Sequence, residues 1–170
     1  EHVADLLFTT VQKGVTTMGE LAPKIGRVAG LAGAAGMNME SMFAIIAAGT
    51  KVTGLTSVTV TGLRSAINLL LKPGKEARDT LAGVNERLKT NKISFGAAAT
   101  EGDGMIRTLR NMAKAFHEGN LSAEELNRII PNARAQAVVL GIVKEGAKDL
   151  TKNYELMSDK LLVSGVVMEK

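Results

Sequence analysis

Apolar residues return along most of this chain at intervals of three and four, the period of an amphipathic α-helix. Val3, Leu7, Val11 and Val15 recur every four residues, and Leu6 and Met18 widen the stripe, which predicts a first helix buried along that face. Thr17-Met18-Gly19-Glu20 has the spacing of a capping box, in which the Thr hydroxyl accepts from the amide three residues on and the Glu reaches back. A second helix follows, with Leu21, Ile25, Val28 and Ala32 inward and Pro23 in its first turns, where a missing amide costs least. Gly36 suits the left-handed position that ends a helix. Asn38 then caps a short apolar helix over 39–48, closed by Gly49.

Residues 50–61 carry two signals. Val58, Thr59, Val60 and Thr61 alternate as a strand would. Leu63, Ile67 and Leu70 continue at helical spacing with no turn between, which favours a loop leading into a helix. Lys72-Pro73-Gly74 ends that helix, because the residue before proline avoids the α region. Ala77, Leu81, Val84 and Leu88 form the clearest stripe, in a helix expected to stop near Thr90-Asn91. Residues 93–104 read as a Gly- and Ala-rich connector with a short extended piece at 93–95. Ile106, Leu109, Ala113 and Phe116 mark the next helix, which ends at Gly119.

Ser122-Ala123-Glu124-Glu125 is a second capping box, with Leu121 and Leu126 placed as a hydrophobic staple. Its helix stops before Pro131. Asn132 caps a last, long helix with Ala137, Leu140, Leu150, Tyr154, Met157, Leu161 and Met168 inward, weakened by Gly141, Gly146 and Gly165. The prediction is an all-α fold: six to eight helices with short connections, in a compact bundle or hairpins with a long C-terminal helix. Residues 1–170 read as one module, divisible into 1–73 and 74–170.

Composition narrows the chemistry. The chain of 170 residues has no Cys, two His (His2 and His117) and five aromatic residues, so thiol chemistry is excluded and a His-based metal site or triad is disfavoured. The net charge of +4 is mild, no three basic residues are consecutive, and acidic residues are interleaved. This predicts a mixed solvated surface without a specific nucleic-acid site. The longest apolar runs, 42–49 and 137–143, fall far short of the roughly 18–20 residues that span a bilayer. The chain opens on Glu1 with apolar periodicity already under way, and is expected to be a piece of a longer protein.

Individual motifs add little. Glu101-Gly102-Asp103-Gly104 fails the register of a calcium loop and reads as a turn before a helix. Gly26, Gly30, Gly33 and Gly36 place small residues where helices approach closely. Neither a Walker nor a dinucleotide glycine motif occurs. Glu40, Glu118, Glu124, Glu125 and Glu145 cannot be paired across a cleft from sequence, and few aromatics are available to line a sugar groove. His117 falls in a helix's last turn, where its cationic form suits the dipole. The eight Met read as adaptable core filler or a repackable interface. No catalytic residue, cofactor or metal is assigned.

The serial order of these features resembles the core region of phage tail tape measure proteins, over roughly residues 4–159. The residues that carry the likeness are Ala4-Asp5, the capped start Thr17-Met18-Gly19-Glu20-Leu21, and the turn Gly36-Met37-Asn38-Met39-Glu40 running into Phe43-Ala44-Ile45-Ile46-Ala47. They continue through the connector at Gly54, then Thr61-Gly62-Leu63-Arg64-Ser65-Ala66-Ile67, the ending Leu71-Lys72-Pro73, the turn Asp103-Gly104 and a last block around Arg134. That block has Pro131-Asn132 where the family often has an aromatic-Gly pair.

The resemblance implies a structural role in a phage or prophage tail: setting tail length, supporting assembly, and leaving the tube during DNA ejection. It implies tail tube and tail assembly chaperone proteins and further copies of the chain as partners. It implies the tail lumen as location, with the host cytoplasm during assembly, and no catalytic site. Two alternatives remain: a helical segment that inserts in the host envelope, motivated by the Gly/Ala-rich residues 28–50, and, less favoured, a muralytic domain.

Overall fold

The computed structural model describes residues 2–159. Among them are seven helices and a long eighth that changes winding midway. They are α1 (His2–Lys13), α2 (Met18–Ala34), α3 (Met39–Thr53), α4 (Thr56–Leu71), α5 (Lys75–Arg87), α6 (Gly104–His117) and α7 (Ala123–Ile129). The last rod starts as α8 (Ala133–Gly141), passes through a π turn (Ile142–Gly146) and continues as α9 (Ala147–Ser158). A single 3-10 turn, Gly96–Ala99, precedes α6, and no strand occurs among the described residues. The compact all-α fold with a long C-terminal helix is as the periodicity predicts. Leu161, Gly165 and Met168 lie outside the described residues.

The sequence's caps are where the helices start. Thr17 Oγ1 accepts from the Glu20 amide at 3.2 Å while the Glu20 carboxylate accepts from the Thr17 amide at 3.3 Å. Ser122 and Glu125 repeat the exchange, at 3.1 Å both ways. Asn38 Oδ1 accepts from the Ser41 amide, and Asn132 Oδ1 from the amides of Arg134 and Ala135. Each cap satisfies donors that the first turn leaves unpaired.

At the centre stands α3. Every residue from Ser41 to Thr50 is buried, so this helix has no solvent face, and α1, α4, α8 and α9 pack around it. Its start lies beside the start of α1, where His2 Nε2 is 2.8 Å from Glu40 Oε1. Its end lies beside the start of α9, where Lys51 meets Asp149 at 3.5 Å. The core draws on both halves of the chain, from Leu6 through Ile46 and Leu63 to Leu109, Ile142 and Met157.

Residues 50–61 form neither strand nor long loop. α3 runs through Gly49 to Thr53, a turn is made at Gly54 (φ 72°) and Leu55, and α4 begins at Thr56. Gly49 therefore does not close α3. An added Cβ there would sit 2.6 Å from Thr59 Cγ2, so this glycine lets α4 approach. The helix prevails because Thr56, Thr59, Val60, Leu63, Ile67 and Leu70 are buried at a 3–4 spacing longer than the local alternation. The threonines also bond within turns: Thr59 Oγ1 donates to Leu55 O at 3.0 Å, and the Thr53 and Thr59 hydroxyls meet at 2.8 Å.

Four other expectations change. α1 buries Leu6, Thr9 and Thr10, while Val3 and Val15 are exposed. Both threonines donate to carbonyls one turn back, at 2.8 and 2.7 Å, so their burial leaves no hydroxyl unpaired. In the last helix Ala137 is exposed and Ala135, Val138 and Val139 face in. Residues 93–95 are not a strand; the Asn85 side chain takes a strand partner's place, donating to Ile93 O at 2.7 Å and accepting from its amide at 2.9 Å. Gly26, Gly30 and Gly33 face open space and pack against no helix among the described residues.

Close packing instead uses other glycines. At Gly62 a Cβ would lie 2.5 Å from both Arg134 O and Val138 Cγ2, so α4 and α8 touch backbone to backbone. Gly141 and Gly146 flank Val52, whose methyls would meet a Cβ at 2.8 and 3.2 Å respectively. We expect Gly62→Ala to destabilise the fold by about 1–3 kcal/mol through overpacking. Gly30→Ala, in open space on α2, should stabilise it by about 0.5–1 kcal/mol by favouring the helix. Urea unfolding followed by circular dichroism measures both, and a neutral Gly62→Ala would refute the contact.

Candidate functional site

The residues that carry the family likeness do not converge. Thr17 and Glu20 cap α2, and Glu20 also accepts from Thr56 Oγ1 at 3.5 Å. Gly36 (φ 72°) ends the α2 turn, and its carbonyl accepts from the Gly102 amide at 2.8 Å. The Asn38 amide returns a 3.0 Å bond to Gly102 O, forming a one-residue parallel bridge between Met37 and Gly102. Glu40 pairs with His2. Gly54 makes the α3–α4 turn, Gly62 packs on the backbone of Arg134, and Leu63 is fully buried. Arg64 and the Arg134 side chain are exposed. Pro73 ends α4 and accepts from Arg78 Nη1 at 2.8 Å. Gly104 starts α6 where a Cβ would strike Ala98 O at 2.7 Å. These are caps, turns and packing contacts.

A cleft that the sequence did not announce lies between α6 and α9. It encloses about 700 Å³. One wall is α6, which carries Arg107, Arg110, Lys114 and His117 at spacings of three, four and three on its exposed face. The other is α9, which contributes Lys148 and Lys152, one turn apart. Asn91, Asn111 and Thr151 add neutral donors, Ala113 and Ala147 complete the lining, and no carboxylate takes part. Arg107 is partly neutralised by Asp103, 3.4 Å away. Arg110, Lys114, Lys148 and Lys152 make no ion pair among the described residues. A second cleft of about 360 Å³ shares Asn91, Asn111 and Lys114 and adds Arg87, Lys89 and one carboxylate, Glu118.

The walls are held firmly. α6 buries Met105, Ile106, Leu109, Met112 and Ala113 on its opposite face. His117 Nε2 donates to Val143 O at 3.2 Å, tying the end of α6 to the π turn. This hydrogen bond is the role the structure gives His117. At the neighbouring rim, Arg87 donates twice to Asn120 O and grips the Glu125 carboxylate at 2.6 Å. The mixed surface expected from the interleaved sequence does not hold at this cleft. One signal was legible: between Asp103 and Glu118 there are four Arg or Lys or His and no acidic residue. The contribution of α9, some forty residues on, was not.

No helix among the described residues is long and apolar enough to cross a membrane. Residues 41–50, within the stretch that motivated membrane insertion, are buried in the folded chain. Among the described residues no three His, Cys, Asp or Glu side chains cluster as a metal would require.

The features together define a helical packing module with a polar, cationic recess between α6 and α9. The family of phage-related minor tail proteins matches residues 1–120, and the chain belongs to that family. It is thus a phage tail protein. No curated protein and no solved structure matches it.

The Glu125 site makes a pH prediction. Burial raises its pKa, but hydrogen bonds from Arg87 and the Ser122 amide outweigh this and hold it below the ordinary glutamate value. A carboxylate lowered in the folded state contributes stability above its unfolded pKa of roughly 4.3, and that contribution is lost as pH falls through the folded value. Glu125→Gln keeps a capping-box partner. It should lower the thermal midpoint at neutral pH, and the gap from the parent should close towards pH 3. A gap that persists in acid would refute it.

Proposed function

We propose that this chain is a structural segment of a tail tape measure protein, acting through helix packing and not through catalysis. The observation that supports the reading is the nature of the family-like residues. Thr17, Glu20, Gly36, Gly54, Gly62, Pro73 and Gly104 begin helices, end them or let them touch, so what they specify is helices and their junctions. In this reading the segment contributes to tail length, assembly and genome ejection. Further copies of the chain, tail tube subunits and tail assembly chaperones are its partners, and the tail lumen is its place.

The helices are joined by turns, so length can be gained by opening turns while helices persist. Fully helical and straight, 170 residues would span about 255 Å at 1.5 Å per residue. In-frame duplication of the segment in the parent gene should lengthen tails measurably in negative-stain micrographs, by at most about that distance. Tails of unchanged length would overturn the tape measure reading.

A further inference from the structure

We propose that the α6–α9 cleft is a binding site for the phosphodiester backbone of nucleic acid. Arg107, Arg110 and Lys114 span about 10 Å along α6, and Lys148 and Lys152 face them from α9. Among the described residues, four of these five cations make no ion pair and no carboxylate lines the recess. Apart from Asp103 beside Arg107, these like charges have little counter-charge and repel one another, and an anion that bridges two rows relieves that repulsion. Asn91, Asn111 and Thr151 supply the neutral donors that phosphate contacts also use.

The lining also says what is not recognised. It contains no aromatic side chain, so bases are not stacked, and binding is independent of sequence and strongly salt-dependent. Among the described residues its only apolar side chains are Ala113 and Ala147, which give a peptide no pocket for a side-chain anchor. Among the described residues, the exposed large apolar side chains Val3, Val15, Met18, Met39 and Leu55 all lie elsewhere, on α1, its following turn, the starts of α2 and α3, and the α3–α4 turn. Among the described residues, an anionic bilayer would therefore find no apolar insertion beside the charge. Nucleic acid fits this combination best.

The test is fluorescence anisotropy of the 170-residue chain with a short labelled DNA duplex and, separately, its single strand, over a salt series. The cleft variant Arg110→Gln/Lys114→Gln/Lys148→Gln/Lys152→Gln is compared with a variant of equal charge change elsewhere, Lys24→Gln/Arg27→Gln/Arg64→Gln/Lys72→Gln. Circular dichroism confirms that both remain folded. If the cleft variant does not fold, the single changes Lys114→Gln and Lys148→Gln are compared with Arg27→Gln and Lys72→Gln.

The expected result for the cleft variant is an affinity loss of at least about tenfold, with a log–log salt slope shallower by about 2–4 on duplex DNA. The distal variant should stay within about threefold of the parent. Binding by duplex, single strand or both supports the site, since each presents the same backbone. Equal losses in the two variants, no loss in the cleft variant, or no DNA binding by the parent chain would overturn it. So would phosphatidylglycerol vesicles that bind through the cleft cations while DNA does not.

Discussion

A helix without a polar face has to be surrounded, and the arrangement of this molecule follows from that. From Ser41 to Thr50 every side of α3 is covered. Leaving such a helix exposed would strand apolar surface at about 25 cal/mol for each Å². The surrounding helices therefore need only one apolar face each, and their outer faces are released for other purposes. α6 shows the result most clearly. Its inner face supplies Ile106, Leu109 and Met112 to the core, and its outer face carries Arg107, Arg110 and Lys114 beside Asn111 and His117, with no carboxylate. The charge of the cleft is a by-product of where the core was placed.

Much of this was legible along the chain, because helix ends are governed by local chemistry. Thr17 with Glu20, Ser122 with Glu125, Asn38, Asn132, Gly36 and Pro73 act within a few residues of themselves, and the structure uses each as its sequence context indicates. The stripe Ala77, Leu81, Val84 and Leu88 is buried throughout. What sequence did not show depends on partners far along the chain. Thr9 and Thr10 look polar, but each hydroxyl is satisfied within its own helix, so they pack inward where Val3 does not. The glycines that resemble a packing motif in α2 face open space, whereas Gly49 and Gly62, isolated in sequence, make close contacts. The cleft has the same cause: its two walls are separated by loops, two helices and the π turn, and no short window of sequence contains both.

Membership of the minor tail family and a fold of capped, tightly joined helices describe a protein whose specificity lies in junctions. Each junction is held by a few polar contacts. Gly36 and Asn38 grip Gly102, the Thr16 and Thr56 hydroxyls meet at 2.6 Å, and Arg87 bridges Asn120 and Glu125. Most of these contacts are at the surface, where a single polar contact contributes little, commonly below about 1 kcal/mol. The core, not the clasps, carries stability. The clasps choose which helix ends meet.

The π turn at 142–146 sets the phase of everything after it. One residue in an α-helix corresponds to about 100° of rotation. By accommodating an additional residue within the rod, the turn rotates α9 relative to α8. Ile142, Val143 and Gly146 can then all face inward before the rod resumes with Leu150 and Met157 in the core and Lys148 and Lys152 on the cleft. The turn thus works as a gear tooth, coupling which residues the last helix conceals to which it displays.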